Sequence, residues 1–140
     1  MRLVVLSLLL ASCATVHKYE DIGQACVGEP EPFGFDTGAA VLSIADGDAA
    51  PITVVLSSCS SGSIDWLDQV CEVSVEGDRI AVTTSGKTKT PTSQTDDCRW
   101  VTQDCGTVDL TAGGWTLVYG SGEAPFTVPY DGPAICAEAG

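Results

Sequence analysis

The stretch from Cys71 to Thr84 carries the pattern that most limits what this chain can fold into. Cys71, Val73 and Val75 alternate with Glu72, Ser74 and Glu76. After Gly77-Asp78 the chain returns as Arg79-Ile80-Ala81-Val82-Thr83-Thr84. A period of two puts apolar groups on one face and polar groups on the other, which suits a half-buried strand. Gly77 tolerates the positive φ of a two-residue hairpin turn. The segment therefore predicts a β-hairpin, with Glu76 and Arg79 facing each other across the ladder for about a few tenths of a kcal/mol.

Other runs repeat the signal. Ala40–Ala45 and Ile52–Leu56 flank the turn-rich Asp46-Gly47-Asp48-Ala49-Ala50-Pro51. Thr107–Leu110 and Trp115–Tyr119 are strand candidates, and Gly120-Ser121-Gly122-Glu123 turns the chain into Phe126-Thr127-Val128, closed by Pro129. Ser85–Asp97 is polar and aperiodic and reads as a long surface loop. Ser63–Gln69 is the only stretch with helical character, two turns at most. About six to eight short, evenly spaced strands predict an all-β fold, a single antiparallel β-sandwich. Leu110-Thr111-Ala112-Gly113-Gly114-Trp115-Thr116-Leu117 resembles the L-x-x-G-x-(aromatic)-x-(aliphatic) run at strand corners of immunoglobulin-like and transthyretin-like sandwiches. That resemblance covers eight residues, makes the fold loosely immunoglobulin-like, and implies a core position for Trp115.

The amino-terminal segment has a different character. Met1-Arg2 precedes the apolar run Leu3–Leu10, which suits the hydrophobic region of a signal peptide and is shorter than the roughly 20 residues of a membrane span. Leu10-Ala11-Ser12-Cys13 follows, and resembles the lipobox of bacterial lipoproteins. The resemblance implies thioether lipidation of Cys13, cleavage after Ser12 and acylation of the new amino terminus. Ala14 stands where Asp would imply retention in an inner membrane, so an outer membrane is expected if the organism has two. The competing reading is an ordinary secretory signal with Cys13 as a bystander. The expected organisation is a signal peptide over residues 1–12, a lipidated terminus and short tether over 13–24 reaching at most roughly 35 Å, and a disulfide-bearing domain over 25–140.

Charge and cysteine content narrow the partners. Six basic residues against nineteen acidic ones give a formal net charge of −13, and removing Arg2 with the leader makes it one unit more negative. This balance argues against nucleic acid as a partner, since its phosphates need clustered Lys and Arg, and argues equally against a surface that hugs anionic lipid headgroups. Assigning Cys13 to lipid leaves Cys26, Cys59, Cys71, Cys98, Cys105 and Cys136, an even set that reads as three disulfides in an exported domain. Sequence does not choose among their possible pairings. The simplest expectation is Cys59–Cys71 and Cys98–Cys105 as local staples, with Cys26–Cys136 tying the termini. A zinc site is the competing use of the thiols. No C-x-x-C pair exists and the one histidine, His17, lies in the expected tether, so neither metal nor cofactor is expected.

Few residues point to chemistry. His17 is the only histidine to serve as a triad base, and no serine sits in a G-x-S-x-G elbow. Asp96-Asp97 and Asp104 bracket Trp100 in the expected Cys98–Cys105 loop, an arrangement that fits a glycan contact, glycosidase carboxylates or an ordinary solvated loop. Arg99 and Trp100, with Asp97 and Asp104, form a candidate recognition loop, because a cross-linked segment loses little entropy on binding. The alternative is that the disulfide only staples a connection, with Trp100 packed inward. Asp46-Gly47-Asp48 is a fragment of a calcium loop without its remaining ligands, and a hairpin tip is the simpler reading. The expected function is a lipid-anchored envelope domain with a non-catalytic binding or scaffolding role, its partner an envelope protein or a glycan. A glycan-acting enzyme and an inhibitor or accessory subunit are the alternatives.

Overall fold

A computed structural model of the chain describes residues 13–31 and 41–140. The expected signal peptide, residues 1–12, and the start of the Ala40–Ala45 run lie outside them.

The described residues form an all-β sandwich. One sheet is built from β1 (Thr15–Glu20), β5 (Asp65–Glu76), β6 (Arg79–Thr90), β8 (Gly113–Tyr119) and β9 (Gly122–Val128). The other runs in the order β11-β2-β4-β7, where β2 is Gln24–Val27, β4 is Asp48–Ser60, β7 is Arg99–Leu110 and β11 is Ile135–Glu138. A small ribbon pairs β3 (Leu42–Ile44) with β10 (Tyr130–Gly132). Alternation puts Val27, Ile52, Val54 and Leu110 of one sheet against Ile80, Val82, Leu117, Tyr119 and Val128 of the other, all buried in one apolar cluster.

The Cys71–Thr84 hairpin is present, extended at both ends, with Gly77 at φ 61°. Glu76 and Arg79 are register partners, yet the Arg79 guanidinium bonds Glu123 of β9 instead. Ser63–Gln69 is not helical: most of it belongs to β5. A bulge between Leu67 and Val70, with Asp68 at φ 52°, interrupts the alternation there. Ser85–Thr90 is not loop but the second half of β6. The Ala40–Ala45 run does not pair with Ile52–Leu56; its described strand, β3, pairs with β10.

Two findings depart from a purely antiparallel sandwich with a free tether. First, β8 runs parallel to β6, with Arg79 opposite Thr116 and Val82 opposite Tyr119. Second, residues 15–20 are strand β1, which takes the remainder of the same β6 edge, Thr15 opposite Thr90 through Glu20 opposite Ser85. Two strands thus share one edge, and the ladder breaks where they meet. Thr84 N–H donates to Asp21 Oδ1 at 2.8 Å, and Asp21 N–H to the Thr84 carbonyl at 3.0 Å. Asp21 adopts φ 42° to do so, a conformation Asp tolerates better than most residues. Tyr19 lies over Gly86, its register partner, and meets Trp66 edge-on at 5.6 Å between ring centroids.

The disulfides correct the local-staple expectation. Cys26 bonds Cys136 across neighbouring strands, but Cys59 bonds Cys98 and Cys71 bonds Cys105. Cys59–Cys98 closes the end of the β4–β7 ladder. Cys71–Cys105 joins β5 to β7, and so links the edges of the two sheets. Trp115 is only partly buried, with its indole N–H donated to the Thr111 carbonyl at 2.8 Å; among the described residues the aromatic fully enclosed in the core is Tyr119.

Candidate functional site

The residues that drew attention in the sequence are held by different parts of the fold. Cys13 is exposed and outside any disulfide, with only Ala14 between it and the first residue of β1. Its sulfur is thereby placed at one end of the β5-β6-β1 side of the sandwich.

The expected recognition loop is not a loop. Arg99 to Cys105 lies in β7, which pairs along β4. Asp97 precedes that strand and reaches across to another segment, where Oδ1 accepts the Gly62 N–H at 2.9 Å and the Thr95 hydroxyl. Ser61 Oγ meets Thr95 Oγ1 at 3.0 Å, and Thr95 N–H donates to Ser63 Oγ at 3.2 Å. A Cβ on Gly62 would sit 2.2 Å from Asp97 Oδ2, so the carboxylate rests directly on a residue without a side chain. The Thr95 hydroxyl, followed by the Gly62 N–H, holds the Asp97 carboxyl below its usual pKa range. Its place is that of a clamp between two turns beside Cys59–Cys98.

Trp100, Thr102 and Asp104 alternate along β7 and line a shallow cleft of about 310 Å³ together with Thr53 of β4 and Glu29 and Pro30. Asp104 is engaged in its own turn, accepting the Gly106 N–H at 2.8 Å through Oδ1. Arg99, adjacent in sequence to Trp100, is exposed and does not line the cleft. Of the four proposed recognition residues, the fold brings Trp100 and Asp104 to one surface and leaves Asp97 and Arg99 off it. The Asp46-Gly47-Asp48 pair is also absorbed locally: Asp46 Oδ1 accepts the Ala112 N–H at 2.7 Å and Asp48 Oδ2 the Ala45 N–H at 2.8 Å. Among the described residues, no group of three or more His, Cys, Asp or Glu is arranged to hold a metal ion.

A second surface was not visible in the sequence. On the outer face of β5-β6-β1, register aligns Asp65, Lys89 and Val16 in one row and Leu67, Lys87 and Lys18 in the next. The row between them holds Trp66, Thr88 and His17. Its Trp66 packs against the core, which sets the two lysine rows on the opposite, solvent side. The available signal was the spacing of Lys87 and Lys89 two residues apart, which reads as loop until a strand is known to run through it.

Comparison with protein-family models, with curated proteins and with solved structures gave no match.

Proposed function

We propose that this chain is a lipid-anchored domain of a bacterial cell envelope, bearing lipid on Cys13 and acting by binding or scaffolding without catalysis. The observation that carries the reading is the division of the cysteines: six pair within the sandwich, and the one left over is the lipobox cysteine, exposed at the edge of the fold. Disulfides persist in oxidising compartments, in keeping with export. Two or three acyl chains make a durable anchor, each buried methylene contributing about 0.8 kcal/mol. In an organism with two membranes the outer one is the expected address, since Ala14 follows the cysteine.

Support for a binding role over a glycosidase lies in the carboxylates. Asp97 is spent on the Gly62 and Thr95 clamp, outside the cleft that Asp104 lines. The cleft itself, with Trp100 beside Thr53, Thr102 and Asp104, has the aromatic and hydrogen-bonding character of a glycan contact, and is the natural place for one on this domain.

The experiment is expression of the full chain with Cys13→Ala in a bacterial host, followed by membrane fractionation and intact-mass analysis of the wild type. The wild type is expected in the membrane with the mass of a cleaved, diacylglyceryl-modified chain, and the variant in the soluble fraction. An unmodified wild-type mass, or a variant that stays on the membrane, overturns the reading.

A further inference from the structure

We infer that the outer face of the β5-β6-β1 end lies against the phosphate layer of the bilayer that holds the anchor, so that the domain leans on its membrane in a fixed orientation. This rests on lipidation of Cys13.

Chain length is the first ground. With residues 15–20 in β1, the slack between lipid and folded domain is one residue, Ala14, and not a tether of twelve. At about 3.3 Å per residue along a strand, Val16 and Lys18 stand within roughly 10 Å of the start of β1. The polar headgroup layer is itself about 5–7 Å deep. The short link keeps this end of the sandwich within reach of the headgroups while the lipid is inserted, and leaves the tilt of the domain to what that end presents.

The second ground is what the end presents. Lys18, Lys87 and Lys89 form a cross-strand cluster. They are three of the five basic residues that follow the leader. Beside them lie two exposed apolar side chains, Val16 at 55% and Leu67 at 39% relative exposure. Lysine stems cover apolar surface while their ammonium groups reach outward, the arrangement that suits an interface with phosphate above hydrocarbon. The acidic groups facing the cluster are Asp65 opposite Lys89, Asp68 bonded to Lys87 at 3.0 Å, and Glu20 two residues beyond Lys18. The patch is thus balanced in charge, as a layer of phosphate and ammonium headgroups is. The rest of the mature chain sets two arginines against the other sixteen carboxylates. Facing any other way would turn that negative surface toward lipid phosphate. The chain-wide charge had argued against headgroup contact; its distribution over the fold reverses that reading for this one end.

The test uses the full-length lipidated chain in nanodiscs of phosphatidylethanolamine and phosphatidylglycerol, a fraction of the lipid carrying a gadolinium-chelating headgroup. Intact mass of the same preparation first establishes the lipid on Cys13. Paramagnetic broadening of backbone amides is then read by NMR. Lys18, Thr88 and Lys89 are expected to broaden several-fold more than Gly77, at the far turn of the same hairpin. The contrast is expected to shrink by at least half in Lys18→Glu/Lys87→Glu/Lys89→Glu, and also in the wild type at high salt, which requires no variant to fold. A lipidated chain in which Gly77 broadens as much as Lys89, or whose contrast ignores both charge reversal and salt, overturns this inference and leaves the anchor intact. A chain without lipid overturns both.

Discussion

The hydroxyl of Tyr119 donates to the carbonyl of Ile22 at 2.7 Å, across 97 residues of sequence. A phenol has one proton to give, so its 2.6 Å contact with Thr84 Oγ1 is one in which Tyr119 accepts. The pair closes the place where β1 stops and β8 stops on the shared edge of β6, and ties the amino-terminal segment to the centre of the sandwich.

Replacing Tyr119 with Phe keeps the ring and strands the buried Thr84 hydroxyl and the Ile22 carbonyl. Leaving such groups unpaired costs about 1–3 kcal/mol. Urea denaturation of Tyr119→Phe is expected to show that loss, with Tm lower by about 3–10 °C. A variant as stable as the parent removes the junction from the account of the fold.

The same hydroxyl predicts alkaline behaviour. Burial raises the Tyr119 phenol above its ordinary value of 10.0, outweighing the hydrogen bond from Thr84, and burial raises Tyr19 likewise. A folded-state value above the unfolded one contributes stability that is complete below about pH 10 and lost as pH rises through the folded value. Stability should therefore fall beyond pH 10, and fall less steeply in Tyr119→Phe. Denaturation midpoints measured across that range check it.

Pairing and chain entropy rank the disulfides. The loop closed by Cys26–Cys136 spans 110 residues, against 39 for Cys59–Cys98 and 34 for Cys71–Cys105. The loop-entropy relation gives about 5 kcal/mol for the first and about 4 for the others. Double Cys→Ala variants should unfold in that order of cost, the terminal pair first. Non-reducing peptide mapping should recover Cys59 with Cys98 and Cys71 with Cys105; fragments joining Cys59 to Cys71 contradict the fold.

Gly86 gives a test of whether β1 belongs to the domain. A Cβ there would come 2.6 Å from Tyr19 Cζ, too close for any rotation of the ring in place. Gly86→Ala is expected to lift Tyr19 and cost about 1–3 kcal/mol, with faster amide exchange over residues 15–20 than over β8. Unchanged exchange across β1 would mean that the strand is held by something other than its Tyr19–Gly86 contact.

Legibility in the sequence followed the range of the interactions. The Cys71–Thr84 hairpin could be read because alternation and a Gly-Asp turn act within a few residues. Asp65–Val70 misled because a bulge at Asp68 breaks the period that marks a strand. Residues 15–20 and 85–90 misled because β1 and the second half of β6 find their partners in each other and in β5, with mostly polar side chains that leave no apolar period. Trp100 and Asp104 could be picked out by residue type, but Asp97 and Arg99 beside them could not be set apart, since only the strand register and the turn at Gly62 separate them.

Composition and local pattern alone determined an all-β chain with an even set of cysteines behind a lipobox-like motif, because strand alternation and cysteine count are written residue by residue. Which cysteines meet, which strands share the edge of β6, and where the few lysines gather were decided by tertiary structure. Each of these depends on what lies beside a strand in space, and a neighbour joined by hydrogen bonds across scores of residues leaves no trace in the spacing of either partner.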